Sequence, residues 1–142
     1  MDLHYLDTSF LAPYYLPEKA SEAVERKLRR LPAGSLMISP LVRAEFASLL
    51  ARKFRSREMT EEDARGAMAT LDRHLSEGAL RLAVFLTEDF GRATEWIMAM
   101  QHPLRAPDAL HLAVATRQNA VFWTLDKTLA KAANWVGLRT RR

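Results

Sequence analysis

The stretch PDALHLAVATRQNAVFWTLD, residues 107–126, contains the pattern that decides the fold. Pro107 suits the first position of a helix, and the apolar sequence after it predicts a largely buried helix over residues 107–118. Residues 120–123 follow as a short buried strand, and Asp126 is a typical residue at the start of the next helix. Helix, buried strand and helix in direct succession are typical of an α/β layer structure.

The same alternation extends toward both ends of the chain. Short apolar runs predict further strands at residues 3–6, 36–38, 80–85 and 136–139. Helices are predicted between them, at residues 18–31, 40–54, 60–76, 87–100 and 126–135. Strands separated by helices form βαβ units, so we expect a three-layer α/β/α fold around a central, mostly parallel sheet of four or five short strands. Ligands of such folds bind beyond the carboxyl ends of the strands.

Composition narrows the class of protein. The 142 residues are 49% hydrophobic and 27% charged, which is typical of one globular domain spanning residues 1–142. No apolar run approaches the roughly 20 residues of a membrane span, and the start lacks the pattern of a signal peptide, so we expect a cytoplasmic protein without membrane contact. The absence of cysteine excludes disulfides, zinc fingers and thiol nucleophiles. A net charge of +4 is explained either by a solvated surface with an excess of lysine and arginine or by attraction of a polyanionic partner.

Three acidic residues stand where strands end or helices begin. Asp7 directly follows the first predicted strand, Asp126 follows the fourth, and Asp108 lies in the first turn of the buried helix. Each of these positions also has an explanation without a functional site, namely an ordinary helix cap or interaction with the helix dipole. His111 shares the helix face of Asp108, where an interior histidine is a more common interpretation than a metal ligand.

Glu45 is the most informative acid. Leu41 and Leu49 lie four residues before and after it, so its side chain lies along the apolar stripe of its predicted helix. A carboxylate there needs a buried arginine or a cation. Repulsion within a cluster of four acids amounts to about 4 kcal/mol per pair at 4 Å and an effective dielectric constant of 20. Such a cluster persists with bound cations, and an all-oxygen site suits Mg²⁺ or Mn²⁺.

Four segments of the sequence, in this order, resemble the motifs of the PIN-domain family. They are Tyr5-Leu6-Asp7-Thr8-Ser9, Arg43-Ala44-Glu45-Phe46, Pro107-Asp108-Ala109-Leu110-His111-Leu112-Ala113 and Thr124-Leu125-Asp126. The resemblance covers residues 3 to about 133. Within the family, these segments are similar to the VapC toxins of bacterial toxin–antitoxin pairs. It implies a three-layer α/β/α fold with a parallel sheet.

The resemblance also implies an activity, a site and partners. The activity is that of an Mg²⁺- or Mn²⁺-dependent endoribonuclease, which hydrolyses RNA phosphodiesters with water activated by the metal. The implied catalytic and metal-binding residues are Asp7, Glu45, Asp108 and Asp126, with Asp7 and Asp108 closest to the metal and Asp126 the most variable motif. Thr8, Ser9 and Thr124 match supporting hydroxyl positions. Family members are usually homodimers, and an antitoxin segment that lies over the groove of the toxin inhibits its activity. We expect about half of the apolar residues 10–16, beside the site, to belong to the core and the others to line such a groove.

Two other functions remain open at this point. A phosphatase of the haloacid dehalogenase type would use Asp7 as its nucleophile, but it usually has a second aspartate where this chain has Ser9. A non-catalytic RNA-binding module would use the basic surface and stacking on tryptophan. Trp96 and Trp123 lie in apolar runs typical of a core, whereas Trp135 is open to either interpretation. Clustered acids argue against such a module, because without a metal they repel phosphate.

Overall fold

A computed structural model describes residues 1–142 and contains one sheet of five strands. The strands are β1 His4–Leu6, β2 Leu36–Ile38, β3 Arg81–Leu82, β4 Val121–Trp123 and β5 Thr140–Arg141. Their order is β3-β2-β1-β4-β5, and every neighbouring pair is parallel. The expected parallel α/β sheet is therefore confirmed.

Seven helices connect and cover the strands. They are α1 Thr8–Tyr15, α2 Ser21–Arg29, α3 Pro40–Arg55, α4 Glu61–Ser76, α5 Thr87–Met98, α6 Ala106–Arg117 and α7 Lys127–Trp135. The chain moves from β1 to β3 in one direction and from β3 to β5 in the other, so right-handed crossovers place α1–α4 on one face and α5–α7 on the other. This arrangement is the predicted three-layer α/β/α fold. No helix combines the length and apolar character needed to cross a membrane.

Local sequence explains where the helices begin. Ser39 caps α3 by accepting a hydrogen bond from the Val42 N–H at 3.4 Å, and Pro40 occupies the first position of the helix. Thr60 caps α4 in the same way, with the N–H of Asp63 at 3.1 Å. The helix of the deciding stretch, α6, is buried along most of its length as its apolar sequence predicts.

The core lies on both sides of β1 and β4. All three residues of each strand are buried, and the rings of Tyr5 and Phe122 stack in parallel across the two strands. Trp123 is buried as expected, Trp96 is half-buried against the core, and Trp135 is exposed on one side. Of the apolar residues 10–16, five are buried in the core, whereas Tyr14 is exposed and Tyr15 is half-buried.

Both edge strands differ from the sequence prediction. The strand predicted at residues 80–85 is only Arg81–Leu82, since its partner β2 is itself three residues long. The strand predicted at residues 136–139 lies instead at Thr140–Arg141. Val136 and Gly137 form the end of α7, where Gly137 has a φ of +94° that favours glycine. The apolar character of residues 136–138 therefore reflects a helix end packed on the core.

Candidate active site

The two central strands β1 and β4 end side by side at the point where the chain connections diverge. The connection from β1 runs to β2 on one side, and the connection from β4 runs to β5 on the other. Such a point leaves a crevice at the carboxyl ends of the strands. Asp7 directly follows β1 and Thr124 directly follows β4, and the Asp7 N–H donates to the Trp123 carbonyl at 3.1 Å.

Asp7 is almost fully buried, with 3% of its surface exposed. Its Oδ1 accepts hydrogen bonds from the Ser9 hydroxyl at 2.7 Å and the Phe10 N–H at 2.9 Å. Its Oδ2 accepts a hydrogen bond from the Thr124 hydroxyl at 2.5 Å. No ion pair of the structure includes Asp7. Burial raises the pKa of Asp7 even though these three hydrogen bonds act in the opposite direction.

Glu45 lies at the start of a second hydrogen-bond network. Its Oε1 accepts a hydrogen bond from the Thr8 hydroxyl at 2.8 Å and lies 2.5 Å from His111 Nε2. His111 Nδ1 lies 2.7 Å from the Tyr5 hydroxyl, which lies 2.8 Å from the hydroxyl of Ser39. The last three side chains are buried, whereas the Glu45 side chain is 34% exposed.

The ionised form of Glu45 is favoured by its surroundings. Partial burial alone would raise the pKa of Glu45, but hydrogen bonds from His111 and Thr8, together with the positive charge of Arg105, outweigh burial and lower this pKa. Val42, Phe46 and Leu50 form the buried stripe of α3, and Glu45 lies at its flank. The expected partner of this carboxylate is therefore present, but it is a histidine rather than an arginine.

Asp108 and Asp126 are connected to this region through different neighbouring residues. Asp108 lies one turn before His111 on α6; its Oδ2 accepts a hydrogen bond from the Arg105 N–H at 3.3 Å, and its side chain is 24% exposed. Asp126 is exposed and caps α7, accepting from the N–H groups of Thr128 and Leu129. Its own N–H donates to the Thr124 hydroxyl at 3.0 Å, so Thr124 links it to Asp7.

The available donors fit a hard divalent cation bound largely through water. No group of three or more histidine or acidic side chains forms a ready-made metal site. Glu45 Oε2 and Asp108 Oδ1 have no hydrogen-bond partner in the protein, and Asp7 has no cationic partner. Mg²⁺ is commonly held by one or two carboxylates together with water and substrate phosphates, rather than by a complete protein cage. The donor set therefore fits Mg²⁺ or Mn²⁺, and convergence of the four acids on one ion stays a prediction.

Sequence reasoning missed the part that Tyr5 and Ser39 play beside the site. Tyr5 precedes Asp7 by two residues, so both point to the same side of the extended chain. That spacing was a usable signal for Tyr5. Ser39 was recognised only as a helix cap, and its contact with Tyr5 spans 34 positions of sequence. The interpretation of His111 as an interior histidine is confirmed, with the addition that one ring nitrogen faces Glu45.

The largest open groove of the molecule lies away from the four acids. Its lining comes from α1, the segment after it, and facing parts of α2, α3 and α4, including Tyr14, Tyr15, Met59 and His74. The Tyr15 hydroxyl lies 2.6 Å from His74 Nδ1, and the Tyr15 ring packs against Phe46. Tyr15, which lines this groove, packs against Phe46, and Phe46 directly follows Glu45 on α3. The groove therefore borders the helix that carries Glu45.

Comparison with known proteins agrees with the fold and the motifs. The model of the PIN domain matches residues 4–134. The structure of Mycobacterium tuberculosis VapC20, a toxin described as cleaving the sarcin-ricin loop, is 22% identical with a TM-score of 0.72 over 90% of this chain and 93% of that one. VapBC2 from Rickettsia felis, bound to a promoter DNA fragment, is 17% identical with a TM-score of 0.67 over 98% of this chain and 97% of that one.

A third structure, a toxin–antitoxin complex from Klebsiella pneumoniae, is 17% identical with a TM-score of 0.60 over 89% of this chain and 90% of that one. No protein of curated function matches the sequence significantly. At these identities the structural matches establish a shared fold. The resemblance to PIN domains drawn from the four sequence motifs is confirmed by the family match.

Proposed function

Because the chain belongs to the PIN-domain family, we propose that residues 1–142 form a single-domain, metal-dependent endoribonuclease that acts as the toxin of a toxin–antitoxin pair. One observation carries the proposal. Asp7 is a buried carboxyl group at the carboxyl end of a central strand, held by hydroxyl and N–H groups but without a cationic partner. Such a group is stabilised as an anion when a metal ion lies beside it.

Asp7 and Asp108 are the residues that would hold the ion, Mg²⁺ or Mn²⁺, with Glu45 and Asp126 completing the acidic site. When bound, the ion supplies stabilisation of negative charge on the phosphate and leaving oxygens and lowers the pKa of water. Ser9 and Thr124 orient the two oxygens of Asp7 by donating one hydrogen bond to each. Glu45 is ionised at neutral pH, and its unpartnered Oε2 orients the attacking water and accepts its proton.

RNA is the proposed substrate, and the basic residues beside the acids support it. The Arg105 side chain is 88% exposed next to Asp108, and Lys127 is exposed directly after Asp126. Phosphates flanking the cleaved bond would pair with these cations while the acidic site holds the metal. The net charge of +4 also favours attraction of a polyanion.

The proposed partners are an antitoxin and a second copy of the chain. The groove bordered by Tyr14, Tyr15 and Met59 offers apolar and charged surface beside α3, as a peptide-binding groove does. One matched structure is itself a toxin–antitoxin complex. Co-expression with a short protein encoded beside this chain should yield a stable complex without nuclease activity, and light scattering of the free protein should give the mass of a dimer.

The decisive experiment compares wild-type protein with the Asp108→Asn variant on cellular RNA, in Mg²⁺, in Mn²⁺ and in EDTA. We expect cleavage that requires both the metal and Asp108. Glu88→Gln is the matched control, because it also removes an acid from the first turn of a helix, on α5. Circular dichroism verifies that all three proteins are folded.

Other outcomes identify the alternatives. Equal cleavage by wild type and a folded Asp108→Asn variant contradicts the assigned site. Hydrolysis of a small phosphoester with phosphate trapped on Asp7 indicates the phosphatase. RNA binding that EDTA leaves unchanged, without cleavage, indicates the binding module.

A further inference from the structure

A chain of side chains runs from Ser39 through Tyr5 and His111 to Glu45, and only Glu45 has a part in the mechanism proposed above. Its members come from three elements: Tyr5 is in β1, His111 is in α6, and Ser39 and Glu45 are the N-cap and a residue of α3. Every member except Glu45 is buried, and each contact is 2.8 Å or shorter. A polar network of this kind in a core is costly unless every group is satisfied.

The donor and the acceptor of each hydrogen bond in this chain can be assigned by starting from Glu45. The ionised Glu45 can only accept, so His111 Nε2 carries the proton of that contact. The tautomer that satisfies both contacts has Nδ1 accepting from the Tyr5 hydroxyl, and the oxygen of Tyr5 then accepts from the Ser39 hydroxyl. Burial raises the pKa of the Tyr5 phenol, which keeps its proton available for this donation. Ser39 completes the series by accepting from the Val42 N–H.

This network holds one oxygen of Glu45 and leaves the other open. Thr8 and His111 both contact Oε1, whereas Oε2 has no partner and the side chain is 34% exposed. Fixing the rotamers of a glutamate costs conformational entropy, and a rigid buried donor offsets this cost before substrate arrives. His111 is such a donor, since its ring is 3% exposed and is held at both nitrogens.

We propose that His111 is a positioning residue for Glu45, which it holds through Nε2 so that Oε2 faces the substrate, and that Tyr5 and Ser39 fix the imidazole in that orientation. The proposal rests on the nuclease function proposed above. In this role His111 contacts neither RNA nor metal, and it acts only through the carboxylate. The effects of substituting His111 and Glu45 should therefore not add.

The first test is kinetic and uses two variants of His111 that differ in reach. The amide nitrogen of His111→Gln can replace Nε2, whereas the shorter side chain of His111→Asn reaches only toward Tyr5. We expect kcat for RNA cleavage to fall about 10–100-fold in His111→Asn with little change in KM, and to recover largely in His111→Gln. In a Glu45→Gln background, His111→Asn should cause no further loss.

Equal activities of the Asn and Gln variants, or an undiminished loss in the Glu45→Gln background, would overturn the proposal. If His111→Asn does not fold, Tyr5→Phe is the alternative variant, because it removes only one hydroxyl. It should lower kcat without changing KM, and an unchanged kcat would count against the role assigned to Tyr5 and Ser39.

The second test needs no activity. In protein labelled with ¹⁵N-histidine, NMR should show His111 protonated at Nε2, with a signal that shifts in Glu45→Gln and in Tyr5→Phe. An unprotonated Nε2, or a signal insensitive to Glu45→Gln, refutes the positioning contact whatever the activity. Absence of RNA cleavage by wild type, with the NMR pattern present, would instead refute the nuclease and retain the contact.

Discussion

Asp7 and Asp89 are buried to nearly the same extent, 3% and 2% exposed, yet their surroundings are opposite. Asp89, in the first turn of α5, accepts hydrogen bonds from Arg117 at 2.9 Å and 3.0 Å and from the Leu86 N–H at 2.9 Å. Burial alone would raise the pKa of Asp89, but the guanidinium and this N–H outweigh burial and lower it. Asp7 has hydroxyl and N–H donors but no cation, and its pKa is raised.

The comparison teaches that burial of an acid does not by itself distinguish structure from function. What differs is whether the protein supplies the compensating charge. Arg117 does so for Asp89 and also donates to the Val84 carbonyl, which fixes the end of α6 to the segment after β3. At Asp7 the protein supplies no ion-pair partner, which is what the proposed metal site requires. Four predictions follow from this difference, beginning with the largest expected effect.

Asp7→Asn should reduce RNA cleavage by more than about a hundredfold, since even the partners of metal ligands account for 10–100-fold. The free energy of unfolding should change by less than about 1 kcal/mol, because no buried cation loses its partner and asparagine also caps α1. Cleavage assays and urea denaturation measure the two effects. A strongly destabilised Asp7→Asn protein would mean that Asp7 is a structural acid like Asp89.

Asp89→Asn makes the same chemical change and should have the reverse outcome. The substitution leaves the guanidinium of Arg117 without a charged partner at a buried position. The free energy of unfolding should therefore fall by about 3 kcal/mol. Below its unfolding transition, the variant should cleave RNA at close to the wild-type rate. Urea denaturation without any measurable destabilisation would show that the ion pair contributes nothing to stability.

Addition of Mg²⁺ should stabilise wild type and the Asp89→Asn variant but not Asp7→Asn. Binding at a free concentration ten times the Kd adds about 1.4 kcal/mol to the free energy of unfolding. Thermal unfolding followed in Mg²⁺ and in EDTA detects this as a rise in Tm. A rise of equal size in Asp7→Asn would place the bound ion elsewhere.

The smallest effect concerns pH. Because the pKa of Asp89 is lower in the folded protein than in the unfolded chain, its ion pair stabilises the fold above the ordinary pKa near 4 and is lost as pH falls through the lowered value. The stability difference between wild type and Asp89→Asn should therefore be constant near neutral pH and should shrink below about pH 4. A difference that does not shrink at all as pH falls below about 4 would contradict this account.

The central sheet was predictable because its signals are local. Alternating apolar runs and helix caps located β1, β2, β4 and helices α2 to α7, whereas only the start signal of α1 was recognised. The edge strands β3 and β5 were misplaced, since each is two residues long and is defined by the neighbour it pairs with. An isolated pair of residues has no periodicity from which a strand could be predicted.

The partners of the acids were not predictable for a similar reason. Asp89 and Asp108 each lie in the first turn of a helix, and the sequence gives both the same interpretation. Arg117 reaches Asp89 across 28 positions, and His111 reaches Glu45 across 66. These contacts depend on how α5, α6 and α3 are placed around the sheet, so only the three-dimensional structure separates a neutralised acid from an uncompensated one.

The pairing of β1 with β4 has a consequence for synthesis of the chain. Asp7 and Thr124 are 117 positions apart, and their contact forms only when the strands before them are paired. Closing so long a loop is a late and slow event in folding. A growing chain on the ribosome therefore lacks an assembled site until residue 124 has emerged, so an incomplete chain cannot present Asp7 in its final surroundings.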